Sequence, residues 1–259
     1  MAKNPAASYR ENGYVVVRDF FPRPLVEDYL KFLQEVLRDE VLPMFARAGL
    51  AFETPNLAER IVALIAQGAV ADASVRQVLL GHFPLSARLS RRIEPIARHL
   101  GRSALMREVV GSGPLFMHMP PMARFVPPRY VPAAVPAHQD MSYNSHLSDF
   151  VTVWAPLVPI DHECGGLVVF EGSHHGPIQA VAGDASGWLR PVATDGYPPR
   201  QLVDMDIGDV VILSPTVVHA SAPNVSSRIR ISMDLRIFSA HARSTKHYMN
   251  LDTLEIIPA

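Results

Sequence analysis

The chain of 259 residues has a single cysteine, Cys164, only two tryptophans and almost no charge bias, with a formal net charge of -1. One thiol closes no intramolecular disulfide, which excludes a disulfide-stapled scaffold; a reducing, cytoplasmic setting is the expectation. Without a surplus of one sign there is no long-range field for nucleic acid or an anionic membrane, and neither partner is expected. No run of about 18 apolar residues occurs, so no membrane span is expected. The opening MAKNPAASYRENG lacks the apolar core of a signal peptide. The chain is also not poor in apolar residues: at 48% apolar and 19% charged it is globular and able to build a sizeable core. It is rich in proline, with 23 residues, about twice the usual share, and these belong in loops and at element ends.

The first part reads as helical. Residues 14–20 (YVVVRDF) are β-branched and aromatic and predict a short strand. Pro22 and Pro24 then open a helix whose apolar positions, Leu25, Tyr29, Phe32, Leu33, Val36 and Leu37, keep helical spacing. Residues 57–67 and 84–100 predict further helices, with Arg88, Arg91, Arg92 and Arg98 of the latter on a solvated face. From about residue 105 the pattern changes to strand-like runs at 115–119, 149–157, 166–170, 209–213 and 228–238, broken by Gly, Pro, Asp and Ser. The strands do not alternate with helices, which argues against a doubly wound sheet and for a jelly-roll core with helices packed on one sheet. The expectation is a single domain over 1–259, with 1–105 mainly helical and 106–259 the β-rich core. Residues 120–136, with six prolines, predict a loop. It is either a stiff connector or a wall or lid of a site, with Arg124 and Arg129 in it more often solvated than in contact with ligand.

His138-Gln139-Asp140, followed by His219, is the candidate centre. On a strand, residues i and i+2 share a face, so His138 and Asp140 can grip one ion with Gln139 turned away and His219 arriving from a distant strand. Two imidazoles and a carboxylate with open positions are the facial triad of non-haem Fe(II) oxygenases. The H-x-D spacing alone is weak evidence, since a chain of this composition yields about one such match by chance. From Arg228 to Ile237 the alternation is strict: Arg228, Arg230, Ser232, Asp234 and Arg236 share one face, and five apolar residues share the other. Three guanidiniums on one face need partners, water or an anion. Asp234 can neutralise Arg236 or Arg228, leaving Arg230 to hold a small dicarboxylate; the other reading is an exposed edge strand with mutually paired charges.

These segments together resemble the phytanoyl-CoA dioxygenase family of Fe(II)- and 2-oxoglutarate-dependent oxygenases. The resemblance rests on ENGYVVVRDFFP, AHQDMSYN, FVTVWAPLVPIDHECGGLVVFEGSHHG, GDVVILSPTVVH and HASAPNVSSRIRISMDLR, in that order, while residues 40–110 match poorly. It implies a double-stranded β-helix fold of cupin type. It implies that His138, Asp140 and His219 are the iron ligands, that Arg230 grips the far carboxylate of 2-oxoglutarate, and that Ser221 assists. Trp154 and Gln139 match positions lining the cosubstrate pocket, and Ser232, on the face of Arg230, joins them. Cys164-Gly165-Gly166-Leu167 and Glu171-Gly172-Ser173-His174 depart from the family's usual Asn-Gly-Pro-Leu and Pro-Gly-Ser-His.

The cofactors implied are Fe(II), 2-oxoglutarate and O2, and the reaction is hydroxylation of a small-molecule substrate with release of succinate and CO2. Asp140 speaks against halogenation, for which the family's halogenases give up the carboxylate. It leaves hydroxylation, desaturation or ring formation. His118 and His146 can reach the site but belong to no motif; His174, His175 and Cys164 read as structural. An acyl-CoA substrate has no evident cationic cluster to receive its phosphates. The rival classes are a non-enzymatic ligand-binding barrel and a zinc hydrolase or isomerase on the same fold.

Overall fold

The computed structural model describes residues 4–52, 56–144, 146–180, 191–242 and 244–259. Its strands are β1 Tyr14–Val17, β2 Leu115–His118, β3 Met122–Val126, β4 Val151–Pro156, β5 Leu167–Phe170, β6 Pro199–Leu202, β7 Val210–Leu213, β8 His219–Ser221, β9 Arg230–Ser239, β10 Tyr248–Asn250 and β11 Ile256–Ile257. They form two antiparallel sheets. The larger runs β1-β7-β4-β9-β2-β10-β11, with β3 also paired to β9; the smaller runs β6-β5-β8. A bridge between His138 and His219 extends the smaller sheet past β8.

The alternation read on 228–238 is the spine of this arrangement. Ile231, Met233, Leu235 and Ile237 of β9 enter the main apolar cluster, which also contains Val26, Tyr29 and Leu33 of the helix Arg23–Val36 and Ile96 and Leu100 of the helix Glu94–Arg102. That face of the large sheet carries the helical layer. A second cluster, with Trp154 of β4, Val211 of β7, Leu167 of β5 and Leu202 of β6, joins the two sheets on the opposite side. The polar face of β9 therefore looks into the space between the sheets.

Three expectations are corrected. The strand from Tyr14 stops at Val17 because Asp19 takes a left-handed conformation (φ 50°) and its N–H donates to Asp209 Oδ1 at 3.0 Å. The helix over 84–100 is broken into Leu85–Arg88, a 3-10 turn Arg91–Ile93 and Glu94–Arg102. The break falls at Ser90, whose hydroxyl accepts from Arg92 N–H, and Pro95 is tolerated because it sits in the first turn of the new helix. Residues 120–136 are not all loop. The five residues between the proline pairs are free of proline, and as β3 they pair with β9, Arg124 lying opposite Ser232. Arg124 thus lies within a sheet, while Arg129 is exposed.

Candidate metal and cosubstrate site

His138 and His219 are held face to face by reciprocal backbone hydrogen bonds, each N–H donating to the other's carbonyl at 2.9 Å. Their rings lie 4.2 Å apart between centroids. His138 Nδ1 lies 2.8 Å from the Pro136 carbonyl and His219 Nδ1 lies 3.2 Å from that of Val217. A carbonyl only accepts, so each Nδ1 carries a proton and each Nε2 is the ring nitrogen left for a metal. Burial, reinforced by His219, pushes the pKa of His138 down to about 3, keeping it neutral.

Asp140 arrives differently from the expectation. It does not follow His138 along a strand but begins the short helix Asp140–Tyr143, after Gln139 in an extended conformation. The convergence survives, since one ligand atom from each of His138, Asp140 and His219 lies within 4.8 Å of the others. Asp140 Oδ2 accepts the Thr152 hydroxyl, and Oδ1 lies 3.0 Å from Arg236 Nη2. Burial raises its pKa, but Arg236, the two histidines and Thr152 outweigh that and hold the carboxylate ionised, well below its usual range. Two imidazole nitrogens and an oriented carboxylate fit a ferrous ion. The sequence leaves Asp234 to neutralise Arg236 or Arg228; the structure pairs Arg236 with Asp140, and Arg228 lies outside, paired with Asp161.

Arg230 is 3% exposed and has no carboxylate partner among the described residues. Its Nη1 donates to the carbonyls of Gly166 (3.3 Å) and Ala222 (3.2 Å), its Nη2 to Ser221 Oγ (3.1 Å), and its Nε has no partner. Gly165, at φ +64°, makes this cradle, because a Cβ there would stand 2.3 Å from the Pro223 carbonyl. Burial and nearby Arg124 push the Arg230 pKa down to about 10. A buried guanidinium wrapped in carbonyls and short of a counter-charge fits the free carboxylate of 2-oxoglutarate. Ser221, Ser232 and Trp154 line the same cavity, of about 380 Å³, as the three candidate ligands and Arg230.

Gln139 does not line it. Its Nε2 donates to the Thr216 carbonyl (2.6 Å) and that of Pro177 (3.3 Å), and its Oε1 accepts from Gln179 N–H (2.8 Å). It is a fully buried tie between loops, as alternation along the backbone requires of the residue between two inward ones. His118 and His146, which the sequence allows to reach the site, do line the cavity, as does Arg124 of the proline-flanked segment. His82 and Lys246 carry no signal in the sequence, and Arg88, expected on a solvated face, turns inward beside them. A wider open groove of about 1000 Å³ beside Phe20 and Arg98 contains none of the triad.

A jelly-roll core with a His-Asp-His donor set and a buried, carboxylate-free arginine in one cavity defines the non-haem iron, 2-oxoglutarate-dependent class of enzyme. The chain belongs to the phytanoyl-CoA dioxygenase family, whose profile matches residues 9–232. A 1-deoxypentalenic acid 11-beta-hydroxylase of Streptomyces exfoliatus is 36% identical over 129 residues, 42% of this chain and 46% of that protein, so the match spans about half the relative's length. The peroxisomal phytanoyl-CoA dioxygenase of Bos taurus is 24% identical over 263 residues, 94% of this chain and 69% of that protein. Among solved structures, the epimerase SnoN in complex with Fe3+, alpha ketoglutarate and nogalamycin RO superposes with a TM-score of 0.64 at 20% identity, covering 93% of this chain and 84% of that one. EvdO2 from Micromonospora carbonacea var. aurantiaca, complexed with 2-oxoglutarate, gives 0.53 at 18% identity over 94% and 93%. At these identities the two structures support the fold.

Proposed function

We propose that this chain is an Fe(II)- and 2-oxoglutarate-dependent dioxygenase that hydroxylates an aliphatic C–H of a small-molecule metabolite, with release of succinate and CO2. The observation that carries the reading is the presence, in one cavity, of a His-Asp-His donor set and the carboxylate-free Arg230. His138, Asp140 and His219 would hold the iron, which when bound supplies the oxygen chemistry that no side chain can. Thr152 and Arg236 fix the Asp140 carboxylate so that one orientation is presented. Arg230 and Ser221 orient the cosubstrate by its far end, and the buried Trp154 lines the same cavity. Hydroxylation is the outcome named for the 36% identical relative. That relative acts on a carboxylic acid and the bovine protein on an acyl-CoA, which leaves two classes of substrate.

A zinc hydrolase or a non-enzymatic barrel has no use for the Arg230 cradle. Among the described residues no helix is long and apolar enough to cross a membrane. The test is succinate formation from 2-oxoglutarate, with Fe(II) and ascorbate under air, during a screen for products gaining one oxygen atom. Iron-dependent succinate that tracks such a product supports the assignment. Turnover of a substrate with zinc and without 2-oxoglutarate would refute it.

A further inference from the structure

We propose that the substrate is an organic acid whose carboxylate is held inside the cavity by Arg88, with Lys246 at the rim, in an anion subsite separate from the Arg230 cradle. This rests on the dioxygenase reading and decides between the substrate classes it leaves.

The cavity's charges do not balance. Among the described residues, Arg88, Arg124, Arg230, Arg236 and Lys246 line it, against two carboxylates, Asp140 and Asp234. A ferrous ion and a doubly charged cosubstrate would cancel each other, so the described residues leave an excess of three positive charges in the loaded site, of which the exposed Lys246 supplies one at the rim. Enclosed, uncompensated cations are costly and call for an anionic ligand.

The excess has a definite place. Arg236 is committed to Asp140 and Arg230 to its cradle. Arg124 donates to His82 Nε2 at 2.8 Å, with its other contacts to carbonyls. Arg88 comes down from the end of the helix Leu85–Arg88, and only its Nε makes an ordinary hydrogen bond, to the Pro121 carbonyl at 2.8 Å. Its Nη2 faces the Met122 sulfur. Neither Arg88 nor Lys246 has a carboxylate partner among the described residues. Burial, with repulsion from Arg236 and Arg124, pushes the Arg88 pKa down to about 10. Burial and the neighbouring cations also hold His118 (about 3) and His146 (about 4) neutral, and the Nε2 of each is buried without a partner. A guanidinium that shares its cavity with two unpartnered imidazoles suits a carboxylate, which takes the planar fork with two hydrogen bonds.

The same inventory speaks against an acyl-CoA. Coenzyme A carries its charge on the nucleotide end, which a cavity of about 380 Å³ cannot enclose together with an acyl chain. The enclosed cations need a charge close to the carbon that reacts.

The test is anaerobic calorimetry on the Fe(II)-loaded enzyme saturated with 2-oxoglutarate, so that the Arg230 cradle is filled. The probes are hexanoate, cyclohexanecarboxylate and decanoate, each beside its methyl ester, and coenzyme A. At least one acid should bind tenfold or more tightly than its ester. That preference should fall at least tenfold in Arg88→Gln, be largely kept in Arg88→Lys, and fall a few-fold in Lys246→Gln. A merely structural role for Arg88 would weaken acid and ester alike. The proposal is overturned if no acid binds, if acid and ester bind equally, if the preference survives Arg88→Gln, or if coenzyme A binds and the acids do not. If 2-oxoglutarate itself fails to bind, the dioxygenase reading fails separately; acid binding to Arg230→Leu without cosubstrate then still reports on the Arg88 subsite.

Discussion

The two ends of the cavity are built on different principles. At the metal end the side chains are held in place: Asp140 is met by Arg236 and Thr152, both histidines are oriented by backbone carbonyls, and Arg230, without a carboxylate, sits in a cradle of three oxygens. At the Arg88 end the cations have carbonyl, imidazole or sulfur neighbours and, among the described residues, no carboxylate in direct ion-pair contact; Asp234 acts on them at longer range. The first end is preorganised for one ligand set whatever the substrate. The second is left electrostatically incomplete, so substrate choice resides there.

Substitutions can break that comparison. Asp140→Ala should have the largest effect. It removes a ligand and strands Arg236, so turnover should fall by more than about 100-fold, and stability should drop by about 3–5 kcal/mol from the unpaired buried cation. Steady-state succinate and thermal unfolding measure the two. Retained activity with iron bound would remove Asp140 from the triad. Arg230→Leu comes next: loss of two charge-assisted hydrogen bonds, about 1.5–3 kcal/mol each, should raise the KM for 2-oxoglutarate about 100-fold with a smaller change in kcat. An unchanged KM would move the anchor to Arg124 or Arg236. Thr152→Val should weaken iron affinity about 10-fold by freeing the carboxylate, as measured by metal competition. Gln139→Leu should be smallest for catalysis. It should cost about 1–3 kcal/mol of stability through its unmatched backbone partners and leave the KM for 2-oxoglutarate unchanged; a raised KM would return Gln139 to the cosubstrate pocket.

Legibility in the sequence followed the same divide. The metal end lies in contiguous motifs, His138-Gln139-Asp140 and the run from His219 to Arg236, where spacing and strict alternation carry the information. Even there the mechanism of convergence was missed, because a bridge followed by a helix turn replaces the strand on which i and i+2 would align. The Arg236–Asp140 pair spans 96 residues and needs the β4–β9 register to be seen. At the other end, Arg88 reads as solvent-facing until the helix breaks at Ser90, and β3 is masked by the prolines on either side. Short strands with little alternation, such as Pro199–Leu202 and Ile256–Ile257, exist only through their pairing. Cavity charge from scattered segments leaves no local trace in a chain of net charge -1.

The central claim is that one ferrous ion and one 2-oxoglutarate share the site of His138, Asp140, His219 and Arg230. Anaerobic calorimetric titration of 2-oxoglutarate, with and without Fe(II), tests it most directly. The expected result is one molecule bound per chain, tightly only when iron is present, with metal dependence lost in Asp140→Ala and affinity lost in Arg230→Leu. Binding of equal strength with and without iron, indifferent to both substitutions, would contradict it.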